Sequence, residues 1–157
     1  MSEAVTDQWI VQVMEEHREL NALVSNLRDF LDRPRPKIGD QGSHRWAAEL
    51  SGHLVKLHDR LFRHFRYEEQ GGMVEDLLER HPRASDRIES VMGEHPEMLD
   101  CCRTLLTDCL AYSEGTRPED PALRRRLLAL LDQLHEHERQ ETDLIQRLEY
   151  RDTGAMD

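Results

Sequence analysis

The chain has 157 residues, with 21 Lys plus Arg against 32 Asp plus Glu and a formal charge of -11, the size of one small acidic domain with short tails. With 38% hydrophobic and 34% charged residues, and only 8 Gly and 6 Pro, the composition excludes collagen, Gly/Ser linkers and a membrane span. It makes strands unexpected, and the absence of a long Lys/Arg run excludes nucleic acid and membrane partners, because phosphate recognition rests on cations that replace counterions.

The N-terminal run Met1-Ser2-Glu3-Ala4-Val5-Thr6-Asp7 is acidic and does not lead from a basic segment into an apolar one, so the reading is a cytoplasmic protein without a secretory or transit signal. The first helix is expected over about 7–31, ending at Asp32-Arg33-Pro34-Arg35-Pro36, and the second over about 43–70, ending at Gly71-Gly72. A short helical bridge follows near 73–80. A third long stretch covers about 83–113, with Pro96 inside it; the missing donor there either kinks that helix or marks the restart of a second one. After Gly115 to Pro121 the last helix is expected over about 119–150. The expected architecture is an all-α, up-down-up-down four-helix bundle over 7–150, with tails at 1–6 and 151–157. Cys101, Cys102 and Cys109 form an odd set in one segment and read as reduced thiols, the latter two as small apolar residues.

Apolar residues recur at spacings of three and four on each long stretch. The stripes run Ile10, Val13, His17, Leu20, Val24, Leu27, Leu31; then Ala47, Leu50, Leu54, Leu57, Leu61, His64, Glu68; then Ile88, Met92, His95, Leu99, Cys102, Leu106, Cys109; then Leu123, Leu127, Leu130, Leu134, His137, Glu141, Leu144, Leu148. Six polar residues interrupt them: His17, His64, Glu68, His95, His137 and Glu141. An unpaired polar group costs roughly 2–7 kcal/mol to bury and a charge more, so six in a small core must answer to one another or to something bound.

A metal satisfies all six. His64 with Glu68 and His137 with Glu141 each put imidazole and carboxylate one turn apart on a single helix face. Nitrogen with oxygen ligands suits iron, manganese or zinc better than magnesium or calcium, and two carboxylates able to bridge favour a dinuclear centre. Counting from the breakers, His95 and His137 fall level, whereas His17 and His64 are offset by six residues, about 9 Å at 1.5 Å per residue. The two halves of the chain repeat the same order, His and then His-x-x-x-Glu. As a purely structural alternative, the polar layer fixes helix register in an interaction module.

At these residues the sequence resembles the hemerythrin-like (HHE cation-binding) family over about 7–150. The carriers are Glu16-His17-Arg18-Glu19-Leu20, His64-Phe65-Arg66-Tyr67-Glu68-Glu69, Glu94-His95-Pro96-Glu97-Met98-Leu99 and His137-Glu138-Arg139-Gln140-Glu141. The resemblance implies a non-haem centre of two oxo- or hydroxo-bridged iron ions, with His17, His64, His95 and His137 as terminal ligands and Glu68 and Glu141 as bridges; zinc or manganese are the alternative occupants. It also implies binding of, or reaction with, O2, NO or peroxide, in sensing, scavenging or iron handling. As an enzyme, such a centre performs peroxide disproportionation or oxidase-type chemistry.

Oxygen-carrying members place a second histidine one turn from the third-helix histidine, where this chain has Val91 and Leu99. A more open iron suits peroxide, NO or sensing better than protected oxygen carriage. An additional ligand or an outer partner is expected from Tyr67, Glu69, Glu94 or Glu138, and among the off-stripe histidines from His58 or His135. The sequence names no protein partner.

Overall fold

The computed structural model describes residues 2–37 and 41–151; Met1 and the expected tail residues 152–157 lie outside the described residues. The elements are α1 (Ser2–Asp32), α2 (Gln41–Gln70), α3 (Met73–Arg80), a 3-10 turn (Pro82–Ala84), α4 (Ser85–Met92), α5 (His95–Ser113), α6 (Leu123–Gln146) and a π-helical turn (Arg147–Arg151). The long helices α1, α2, α5 and α6 form an up-down-up-down bundle, each packing on the next and α6 closing on α1. No strand occurs among the described residues.

Each boundary has a local cause. At the end of α2 the Gly71 N–H donates to the Tyr67 carbonyl at 2.7 Å, and a Cβ on Gly71 would fall 2.4 Å from that oxygen. Gly72 then turns the chain at φ 102°, a left-handed conformation that glycine adopts without steric cost, and α3 starts. The third stretch is two helices: α4 ends at Met92, and α5 restarts at His95 with Pro96 in its first turn, where a missing N–H leaves no broken bond. The last helix begins at Leu123, later than the expected 119, because Pro121 follows Asp120 and the Asp120 carboxylate accepts the Ala122 N–H at 2.8 Å in a turn. The first helix begins earlier, at Ser2.

The restart also rotates α5 relative to the expected stripe. Met98, Leu105 and Tyr112 point into the core, while Leu99 and Leu106 are half-buried at its edge. The α2 and α6 stripes are buried throughout, and on α1 Ile10 and Val24 are half-buried while Trp9 and Phe30 join the core.

The core is two apolar clusters. The larger fills the bundle from Leu20, Leu61, Phe65, Met98 and Leu134 down to Leu31, Trp46, Tyr112 and Leu123. The smaller closes the opposite end, where α3 and α4 cross: Trp9 and Val13 of α1, Met73 and Leu77 of α3, Ile88 and Val91 of α4, Leu144 and Ile145 of α6. The Trp9 indole donates to Asp76 at 2.8 Å, fastening α1 to α3. The six polar stripe residues lie between the clusters, flanked by Val13 and Leu20 on α1 and by Leu134 and Leu144 on α6.

Candidate metal centre

All six interrupting residues are buried, none more than 5% exposed. The expected offset between His17 and His64 does not occur: their ring centroids are 5.0 Å apart. Phe30 explains the difference. Its ring stacks on Trp46 at 5.7 Å and lies 5.0 Å from His53, so the end of α1 is level with the third turn of α2, and the first turns of α2 overhang it. The connecting segment covers the overhang, with the Arg35 guanidinium 4.3 Å over the Trp46 ring and its ion pair to Glu119. On the other side His95 and His137 are level, as expected, with ring centroids 4.9 Å apart.

The donor atoms fall into two sets, His17, His64, Glu68 and Glu141 in one and His95, His137, Glu68 and Glu141 in the other; within each set the ligand atoms lie within 4.8 Å of one another. The carboxylates are common to both. Glu141 faces His17 Nε2 with Oε1 at 3.0 Å and His137 Nε2 with Oε2 at 3.3 Å. Glu68 Oε1 lies 3.2 Å from His64 Nε2 and 3.5 Å from His95 Nε2. Each carboxylate thus faces one imidazole of each set, as a bridging ligand must.

The electrostatics fit a cation. Glu68 is completely buried, and neither of its oxygens accepts a hydrogen bond. Burial, and then the charge of Glu141, push the Glu68 carboxyl well above the usual carboxylate range. Burial acts on Glu141 too, but hydrogen bonds from Glu68, His137 and His17 outweigh it and hold that carboxyl well below the range. Two acidic groups and four imidazole nitrogens with so few internal hydrogen bonds form a set that metal ions complete.

Carboxylates stand behind the imidazoles. His64 Nδ1 is 3.3 Å from Glu16 and His137 Nδ1 is 3.2 Å from Glu94, both with hydrogen-bond geometry. His95 Nδ1 lies 3.7 Å from Glu69, and His17 Nδ1 lies 4.0 Å from Glu138, whose carboxylate accepts from Asn21 at 2.8 Å. Such partners fix the tautomer and raise ligand basicity. Sequence reasoning named Glu69, Glu94 and Glu138 but passed over Glu16. The signal was present in the repeated Glu-His doublet: Glu16-His17 hands its carboxylate to His64, as Glu94-His95 does to His137.

The remaining expected residues, Tyr67, His58 and His135, belong to neither donor set. Tyr67 is half-buried against the end cluster, its ring over Gly71; burial, and then Glu16, push its phenol upward. His58 lines a surface groove with Val55 and Phe62, and belongs to neither set. His135 is exposed, on the wall of a cavity of about 60 Å³. That cavity is the site's opening. It is lined by His17, His64 and His137, by the apolar Leu20, Val24, Leu57, Leu61, Phe65 and Leu134, and by Asn21, Arg28 and Glu138.

A helical bundle that converges imidazoles and carboxylates from all four long helices on one buried point is a metal-binding protein of the helical-bundle class. The chain belongs to the hemerythrin HHE cation binding domain family, which matches residues 10–148. No curated protein and no solved structure gives a match. No helix among the described residues is long and apolar enough to cross a membrane.

Proposed function

We propose that the chain is a non-haem di-iron protein that binds a small neutral ligand, O2, NO or peroxide, in the cavity beside His17, His64 and His137. The observation that carries this reading is the sharing of Glu68 and Glu141 between two sets of four donors, because a mononuclear site needs only one set. His17 and His64 would hold one ion and His95 and His137 the other, with Glu68 and Glu141 common to both. When bound, the iron pair supplies redox equivalents and coordination positions for the ligand.

The chain's own residues set what enters. A space of about 60 Å³, where one water needs roughly 10–15 Å³, has room for a diatomic molecule or peroxide. Its wall is mostly apolar, with Asn21, Arg28 and Glu138 as further polar members, and this favours an uncharged ligand over a free ion. Phe65 stacks on His95 at 3.8 Å and meets His137 edge-on at 5.7 Å, which holds both rings in place and keeps water from the lower core. Glu16 and Glu94 hold the Nδ1 protons of His64 and His137, so that Nε2 of each faces inward. Four imidazoles, without the additional histidine of oxygen carriers, fit sensing or scavenging rather than oxygen storage.

Elemental analysis of protein purified without chelator tests the proposal, paired with absorption spectra before and after NO or peroxide. The expected result is iron at about two equivalents per chain, one for each donor set, with a ligand-dependent spectral change. One equivalent of zinc, or no metal together with a melting temperature that chelation leaves unchanged, overturns it.

A further inference from the structure

The apolar side chains exposed on the surface are not scattered. Among the described residues five large hydrophobics are exposed, and three of them, Val55, Phe62 and Leu110, belong to α2 and α5. Val55 and Phe62 are two turns apart on α2, and Leu110 follows Leu106 by one turn on α5, so each pair shares a helix face. Between these ridges runs a groove of about 390 Å³ lined by Val55, His58, Asp59, Phe62, Arg103 and Leu106. His58 Nε2 is shut off from solvent there without a hydrogen-bond partner.

We infer that this groove is the interface of a homodimer, in which α2 of one copy packs over α5 of the other about a twofold axis parallel to the helices. Register and charge single out a second copy as the occupant. The two helices are antiparallel, levelled by the Phe65–His95 stack at 3.8 Å and by the Cys102 thiol 4.0 Å from the Leu54 carbonyl. That register sets Val55 level with Leu106 and Asp59 level with Arg103. A twofold along the groove therefore lays Val55 on Leu106 of the partner subunit and Asp59 beside Arg103 of the partner subunit, each contact occurring twice. The other twofold in that plane, across the helices, stacks α2 on α2 and so sets Asp59 over the partner's α2 rather than over the partner's Arg103.

Net charge points the same way. A chain of -11 repels its own copies over most of its surface, whereas this groove carries one acid and one guanidinium, which neutralise each other. Their present partners are Arg63, 2.7 Å from Asp59, and Asp100, 3.6 Å from Arg103. Both are exposed pairs within one helix, worth little, so re-pairing across an interface forfeits almost nothing.

Analytical ultracentrifugation of the full-length, metal-loaded chain over a wide concentration range tests the inference. The expected result is a reversible dimer that Phe62→Asp converts to monomer with unchanged helix content and metal stoichiometry. Asp59→Arg and Arg103→Asp should each weaken association by about tenfold or more, and the two together should restore it. A monomer at every concentration overturns the inference. So does a dimer indifferent to Phe62→Asp, or a double reversal no tighter than either single change.

Discussion

His95 and His137, on α5 and α6, bring their Nε2 atoms within 3.2 Å of each other in the buried layer. Two imidazolium rings cannot share that space, and the pair divides accordingly. Burial, and then the neighbouring His137, push His95 down to about 3. Burial also acts on His137, but the Glu141 and Glu94 carboxylates, which accept from its ring N–H groups, outweigh it and raise its pKa.

A pH dependence of the metal-free protein follows from His95. The unfolded chain takes up a proton on this residue near pH 6.5, whereas the folded chain refuses it until about pH 3. The stability that neutral His95 contributes is complete above 6.5 and is lost as pH falls from 6.5 toward 3. Glu68 has the opposite sign, because its raised folded pKa favours the fold in acid and costs stability as pH rises. Denaturant midpoints of chelated wild type and His95→Gln separate the two: their difference should change across 6.5 to 3 and stay flat above. A difference that is flat throughout contradicts the assignment.

Metal binding should release protons. Burial and the charge of Glu141 push the Glu68 carboxyl toward its protonated form, and it must ionise to ligate a cation. Calorimetric titration with ferrous or manganous ion in buffers of different ionisation enthalpy should show buffer-dependent heats and an affinity that rises with pH. In Glu68→Gln the released proton should vanish, and metal stoichiometry should fall below that of the wild type.

The outer carboxylates should rank by geometry. Glu16→Gln and Glu94→Gln each remove a charged acceptor from an Nδ1 at 3.3 and 3.2 Å, and each should weaken metal binding by about 10–100-fold while the helices stay intact. Glu69→Gln and Glu138→Gln, at 3.7 and 4.0 Å without hydrogen-bond geometry, should cost markedly less. Competition with a calibrated chelator measures all four, and equal losses would refute the ranking.

Filling the cavity should separate ligand from metal. Val24 lines it and belongs to neither donor set, so Val24→Phe should keep the full metal content and abolish the spectral response to NO. Met98→Ala, in the core below the polar layer, should instead destabilise the fold by about 2–5 kcal/mol in chemical denaturation.

Helix existence and the polar layer were legible in the sequence because periodicity reports burial directly: a histidine at a position otherwise reserved for leucine is visible without coordinates. The bridge at 73–80 was legible from its glycines and the following His81-Pro82. The rotation of α5 was not, since Met98 and Leu99 are both apolar, and only the restart at Pro96 decides which faces inward. The level of His17 with His64 was hidden as well, because residue counting from loop ends cannot see α2 overhang α1 beneath Arg35. Glu16 escaped because a glutamate flanking a stripe looks like any solvated helix residue until its neighbour's Nδ1 is located.

The polar layer draws donors from α1, α2, α5 and α6, and its His17–Glu141 contact joins positions 124 residues apart. A cation seated there is a cross-link tying the whole chain to itself, with a greasy plug above and below. Loading the site therefore stabilises all four long helices together rather than any one of them.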